Sequence, residues 1–129
     1  MHRCVPLAAL AAVLTLSSAA AVAQMQRPFP RDTLRGEVQF VAPPDVLLNG
    51  KPARLAPGAK VRADNNLLIM LPMLQGAKAV VHYTMEPSGL IHQVWFLTAE
   101  ELAKKPWPTT MAEVQAWSWD PGSQTWQKP

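Results

Sequence analysis

The fold is decided by residues 79–97, which read AVVHYTMEPSGLIHQVWFL. Residues 79–85 and 90–97 are rich in β-branched and aromatic side chains, which is typical of strands. Between them, residues 86–89 (EPSG) are turn formers. The stretch therefore predicts a hairpin of two strands. Because residues 94–97 are apolar on both strand faces, we expect one face to pack inside a barrel and the other to be covered by a further segment.

The length of the loop sets the register of this hairpin, and the register separates its two histidines. A four-residue loop places His92 opposite Tyr83 and His82 opposite Gln93. Successive side chains of a strand point to opposite faces. His82 and His92 are therefore expected to project from opposite sides of the hairpin. A one-residue bulge, which is common in barrels, would change this arrangement.

Shorter predicted strands precede this hairpin. Residues 35–41 alternate apolar and polar side chains, which indicates a half-buried strand. Residues 46–48 and 53–55 flank Asn49-Gly50, the strongest short hairpin signal, because both of these residues tolerate positive φ. Together these patterns predict an antiparallel set of strands.

Two further features lie between the Asn49-Gly50 loop and the 79–97 hairpin. Pro57-Gly58 predicts a turn. The apolar run 67–71, which ends at Pro72, predicts a strand or an irregular buried segment.

The chain after the hairpin predicts a C-terminal cover for the barrel. Thr98 and Glu101 have the spacing of a capping box and predict a helix over 99–105. The same pattern recurs at the start of 110–116 and predicts a second short helix. Residues 117–126 predict a small tryptophan-rich terminal hairpin.

The barrel region resembles small exported bacterial domains with an OB-fold-like barrel. The resemblance covers residues 35–97 and rests on short glycine-containing stretches: Gly36-Glu37-Val38, Leu48-Asn49-Gly50, Gly58-Ala59-Lys60-Val61, Gly76-Ala77-Lys78-Ala79-Val80-Val81 and Gly89-Leu90-Ile91. It implies a mainly β protein with a five- to six-stranded OB-like barrel; an SH3-like barrel has a similar pattern. The expected organisation is a flexible tether over 24–33, the barrel over 34–97 and the cover over 98–129.

The N-terminal residues have the layout of a secretory signal peptide. A basic start at Arg3 is followed by an apolar run over 5–16 and by an A-x-A site that ends at Ala23. Cleavage after Ala23 predicts a periplasmic or secreted protein with no stable membrane span. The alternative is an uncleaved anchor, because the 19 uncharged residues 5–23 approach the ~20 that span a bilayer.

Cleavage also limits the chemistry of the mature chain. It leaves 106 of the 129 residues, which is the size of one domain. The single cysteine, Cys4, would leave with the leader, so disulfides and cysteine nucleophiles are excluded. The mature chain has 11 basic against nine acidic side chains, an excess too small to indicate nucleic-acid binding.

We find no catalytic signature in the mature sequence. Its serines are Ser88, Ser118 and Ser123, none of them in a nucleophile-elbow motif. We expect a non-catalytic binding or structural domain of the cell envelope, monomeric and without a cofactor. Its partner is expected to be an envelope protein or glycan.

Two alternatives name specific residues. The pair Met70 and Met73, with His82 or His92, has the thioether and imidazole ligands that suit Cu(I) in a periplasmic carrier. Alternatively, an aromatic cluster near the C-terminus binds a glycan or a peptide by stacking. The residues of that cluster are Trp107, Trp117, Trp119 and Trp126.

Overall fold

The computed structural model describes residues 26–129, and the predicted signal peptide with Cys4 lies outside them. Eight strands, two α-helices and one 3₁₀ turn occur in this range. In chain order they are β1 (Leu34–Ala42), β2 (Asp45–Leu48), β3 (Lys51–Arg62), β4 (Leu68–Ile69), the 3₁₀ turn (Leu71–Leu74), β5 (Lys78–Met85), β6 (Ile91–Phe96), α1 (Ala99–Ala103), α2 (Met111–Ala116), β7 (Ser118–Asp120) and β8 (Thr125–Gln127). None of the helices in residues 26–129 is long and apolar enough to cross a membrane.

Five strands close into a barrel in the order β1-β2-β3-β6-β5, and β5 pairs back onto β1. Every pairing is antiparallel except that of β3 with β6, which is parallel. The short β4 pairs with the end of β3, outside the barrel. The predicted mainly β fold, a small OB-like barrel with short helices, is confirmed.

The barrel core follows the two-residue period of the strand on β1, and on β6 the irregularity at His92 places Ile91 and Val94 in the core together. Val38 and Phe40 of β1, Val81 of β5, and Ile91 and Val94 of β6 are fully buried. Three of these five side chains come from the stretch 79–97. Burial of one such side chain contributes roughly 1.5–3 kcal/mol, so this stretch supplies a large part of the stability of the barrel.

The Asn49-Gly50 signal is confirmed. These two residues form the whole loop between β2 and β3, with φ of 53° and 81°. Pro57-Gly58, in contrast, is not a turn, because β3 continues through it. The proline lies where β3 leaves β2 and joins β6, at a register shift between Leu55 and Lys60. A residue without an N–H is tolerated at such an irregularity.

The predicted register of the long hairpin is wrong. His82 lies opposite Trp95 and Tyr83 opposite Val94, and the register shifts between Thr84 and Met85. Two displacements add up: the turn includes Leu90, whose carbonyl accepts a hydrogen bond from the Glu86 N–H, and His92 is skipped in the pairing between Ile91 and Gln93. An irregularity of this kind changes which side chains lie opposite each other.

The C-terminal segment packs on the outer face of the barrel. Trp107 stacks on the His82 ring of β5, with 4.1 Å between ring centroids. The capping box at Thr98 and Glu101 is present, and α1 ends at Ala103, two residues earlier than predicted. The terminal hairpin forms from β7 and β8.

The predicted flexible tether is wrong for its described part, residues 26–33. Arg27, Phe29 and Thr33 are all buried. The Phe29 ring makes edge-to-face contacts with His82 and Trp95, with 4.5 and 5.3 Å between the ring centroids. This segment has no sequence period because side-chain contacts, and not backbone ladders, hold it in place.

Candidate binding surface

A row of exposed apolar side chains follows β3. We call Leu67, Leu68, Met70 and Met73 the apolar ridge; their exposed fractions are 66, 58, 72 and 79%. An isolated exposed apolar side chain is normal, but a contiguous patch marks an interaction site. Four such side chains within seven residues make this segment the leading candidate for a binding surface.

Local structure explains why the ridge points outward. Ile69 lies opposite Val61 of β3 and packs against the barrel core, so its neighbours Leu68 and Met70 face away from it. At the far end of the 3₁₀ turn, Leu74 is buried. The segment is therefore anchored at Ile69 and Leu74, and Met70 and Met73 between them project outward.

The loop before the ridge is also ordered by hydrogen bonds. The Asn65 side-chain oxygen accepts from the Leu67 N–H at 3.1 Å, and Asn66 adopts a positive φ of 70°. Asparagine tolerates both features. Of the two alternatives predicted for 67–71, the strand is confirmed for Leu68–Ile69, which form β4, whereas the buried segment is wrong, because only Ile69 and Leu71 are partly covered.

A shallow apolar groove of about 520 Å³ adjoins the ridge. It opens where β6 ends and β5 still continues along β1, so this part of the barrel wall has no strand beside it. Its apolar lining includes Val80, Phe96, Leu97 and Leu102, together with Ile69 from the ridge segment. The groove extends the apolar surface from the ridge onto the barrel and α1.

Cations flank the ridge on β3. Arg62 lies opposite Leu68, and its guanidinium donates to the Asn66 carbonyl at 3.2 Å. Lys60 shares that strand face by the two-residue period, and its side chain is exposed. The Asp64 carboxylate lies nearby, at the border of the groove. The ridge is therefore an apolar surface with more positive than negative charge beside it.

A second cleft, of about 690 Å³, is also lined by Leu67. Its walls come from the N-terminal segment, the β3–β4 loop and α1: Gln26, Arg27, Phe29, Asp64, Asn65, Asn66, Leu67, Thr98, Glu100, Glu101 and Lys104. The first described residue therefore lies beside the ridge.

A buried ion pair forms the floor of this cleft. Arg27 donates from Nε to Glu101 Oε2 at 2.9 Å and from its second terminal nitrogen to Glu101 Oε1. It also donates to the carbonyls of Ala63 and Phe96. One guanidinium thus joins the N-terminal segment, α1 and the ends of two barrel strands. The Glu101 carboxylate also accepts from the Thr98 N–H, so it caps its own helix.

The layer between barrel and cover contains a buried histidine. The Arg35 guanidinium donates to His82 Nε2 at 3.1–3.2 Å, so the ring proton of the neutral imidazole is assigned to Nδ1. Arg35 also donates to the carbonyls of Glu101 and Lys104 at the end of α1. Burial first, and then the positive charges of Arg35, Arg27 and Lys104, lower the pKa of His82 to about 2.

The structure separates the residues of the predicted copper site. Met70 and Met73 are on the exposed ridge, whereas His82 is fully buried under Trp107 and accepts from Arg35. His92 lies beside Glu86 on the β5–β6 hairpin, with 3.5 Å between Nδ1 and Oε1. Within residues 26–129, no three His, Cys, Asp or Glu side chains gather as a metal site.

The predicted tryptophan site is divided between interior and surface. Trp107 and Trp126 are buried, and the Trp107 Nε1 donates to the Thr33 carbonyl at 3.0 Å. Trp119 packs against both of them, and Trp117 is also half-buried. Two of the four predicted ligand-binding rings therefore pack the cover onto the barrel.

Sequence reasoning missed Arg27, Arg35 and the ridge as a surface. Helix capping was a sufficient explanation for Glu101, so Arg27 was not expected as a second partner. Arg27 stands in a proline-rich segment without a period, where nothing predicts burial. Neighbouring Met70 and Met73 did give a signal, although it was interpreted as metal ligation.

No family model, no curated protein and no solved structure matches this chain.

Proposed function

We propose that this protein is an exported, non-catalytic binding domain of the cell envelope and that the apolar ridge is its contact surface. The observation that carries the proposal is the exposure of Leu67, Leu68, Met70 and Met73 on a segment that Ile69 and Leu74 anchor to the barrel. A folded chain of this size could instead bury these four large apolar side chains in its own interior. Their presentation to solvent favours a partner.

Export is supported by the sequence of residues 1–23, which lie outside the described range. The basic start, the apolar run and the A-x-A site together fit a cleaved leader. An envelope location also fits an exposed apolar surface, because membranes and envelope proteins are close to the folded domain there.

The non-catalytic part of the proposal is supported by the surroundings of the reactive side chains. His82 is enclosed by Arg35 and aromatic rings, and within residues 26–129 no hydroxyl group is hydrogen-bonded to it. The Ser88 and Ser123 hydroxyls donate to Glu86 and Asp120, which are neighbours in their own turns. These contacts stabilise turns and do not resemble an activated nucleophile.

Fractionation of cells that produce the full chain tests both parts of the proposal. We expect the protein to be recovered outside the cytoplasm, to begin at Gln24, and to sediment mainly with envelope material. The Met70→Gln/Met73→Gln variant should shift to the soluble exported fraction, by about fivefold or more, because two apolar contacts are replaced by polar amides. A cytoplasmic protein that retains residues 1–23 would contradict the proposal.

A matched control comes from two methionines elsewhere on the surface. Met85 and Met111 are also exposed, and they lie on β5 and α2, away from the ridge segment. The Met85→Gln/Met111→Gln variant should fractionate like the unmodified chain. If it is released as strongly as the ridge variant, general surface hydrophobicity and not the ridge holds the protein to the envelope.

A further inference from the structure

The ridge and the cations of β3 together have the composition of a surface that lies on a lipid bilayer. We infer that the ridge docks on an anionic lipid surface, an inference that rests on the proposed binding function. Segments of this type insert apolar side chains at the level of the acyl chains and place basic side chains at the headgroups. The partner is therefore a membrane containing anionic phospholipid.

Basic and apolar side chains form two parallel rows on the outer face of the β3–β4 hairpin. Arg62 and Leu68 are directly opposite each other, and Lys60 and Met70 continue the same two rows. The basic row is thus nearer the barrel, and the apolar row is at the outer edge. A bilayer that takes up the apolar row brings its headgroups to the level of the basic row.

The charged side chains around the ridge are more often positive than negative. Lys60 and Arg62 face the headgroup side, and Asp64 lines the adjoining groove. In the cleft beside Leu67, the negative charge of Glu100 is matched by the positive charge of Lys104. Lys78, across the groove, is paired with Glu37 at 3.5 Å. The remaining positive excess favours anionic over neutral lipid, by an attraction that salt screens.

The chain enters the described domain beside the ridge. Gln26 and Leu67 line the same cleft, and the predicted leader ends at Ala23. Three residues span at most about 11 Å. A membrane that still holds the predicted leader when the domain has folded is therefore close to the cleft beside Leu67. This proximity favours lipid over a soluble protein as the partner.

The test uses residues 24–129, since every contact described above lies within 26–129. Sedimentation with vesicles measures the partition coefficient for phosphatidylcholine alone and for its mixture with phosphatidylglycerol. We expect binding to the anionic mixture, weaker binding to the neutral lipid, and a loss of about tenfold or more in the Met70→Gln/Met73→Gln variant. Met85→Gln/Met111→Gln is the matched control and should stay within about twofold.

The charge contribution has its own variant. Lys60→Gln/Arg62→Gln should lower binding to the anionic vesicles and remove most of the difference between the two lipid compositions. All four proteins should have the same near-ultraviolet circular dichroism, because the altered side chains project from the surface. Equal binding of the ridge variant and the control would overturn the inference.

The outcomes also separate this inference from the function on which it rests. The purified domain could fail to bind both vesicle types while the ridge variant is still released from the envelope fraction in cells. In that case the lipid inference is wrong, and the partner is a protein or a glycan. If the ridge variant behaves like the control in both experiments, the proposed function is wrong as well.

Discussion

Replacing Arg27 by methionine is expected to lower the free energy of unfolding by about 3–5 kcal/mol. The side chains of Arg27 and Glu101 are only 8 and 10% exposed, so removing the guanidinium leaves a carboxylate buried without its counter-charge. Methionine keeps an aliphatic stem of similar length, so the loss reports the charged hydrogen bonds. Urea unfolding of residues 24–129 measures the change.

An exposed ion pair provides the matched control. Arg54 and Asp45 are 63 and 68% exposed, with 3.6 Å between Nε and Oδ1. Arg54→Met should cost at most about 1 kcal/mol, because water and salt screen such a pair. Similar losses at Arg27 and Arg54 would show that the N-terminal segment does not hold the cover to the barrel.

A double-mutant cycle identifies the partner of Arg27. Glu101→Gln keeps a residue that can complete the capping box. Adding it to Arg27→Met removes the orphaned charge, so the double variant should be more stable than the sum of single losses predicts, by about 1 kcal/mol or more. Simple additivity would mean that Arg27 stabilises the fold mainly through the Ala63 and Phe96 carbonyls.

Acidification from pH 7 to pH 5 is expected to remove about 2 kcal/mol of stability through His82. Its pKa is about 2 in the folded protein against 6.5 for an ordinary histidine. Below pH 6.5 the His82 side chain therefore binds a proton in the unfolded chain but stays neutral in the folded chain. The contribution of His82 to stability is fully present above pH 6.5 and falls as the pH decreases below it.

His82→Gln should remove this slope, because an amide does not titrate and its oxygen still accepts from Arg35. His92→Gln is the control, since His92 is exposed on the hairpin and should leave the slope in place. Glu113 and Asp120, whose pKa values are lowered by hydrogen bonds to Thr109 and Ser123, add their own pH dependence mainly below about pH 5. A slope retained by His82→Gln between pH 5 and 7 would assign it to another group.

The barrel was predictable because its signals are local. The strand pattern of 79–97, the Asn49-Gly50 loop and the Thr98 capping box each depend on neighbours in the sequence. The hairpin register was not predictable, since a shift at Thr84 and Met85 depends on how the turn closes. For the same reason, Pro57-Gly58 was interpreted as a turn although β3 bends there and changes partners.

The site was harder to predict because it depends on long-range contacts. Arg27 and Glu101 are 74 residues apart, and no spacing rule connects them. The tryptophans were correctly expected in a cover, but which rings lie inside it depends on packing against His82 and Phe29. Met70 and Met73 stood out in the sequence, and only the anchoring of Ile69 and Leu74 shows that they face solvent.

Methionine oxidation tests the ridge as the contact surface most directly. In the isolated domain, Met70 and Met73 should react with dilute peroxide faster than Met85 and Met111, whose exposed fractions are 37 and 45%. On addition of envelope membranes, we expect the first pair to be protected by about fivefold or more while the second pair reacts as before. Unchanged oxidation of Met70 and Met73 would contradict the proposed contact surface, as would equal protection of these two residues and of Met85 and Met111.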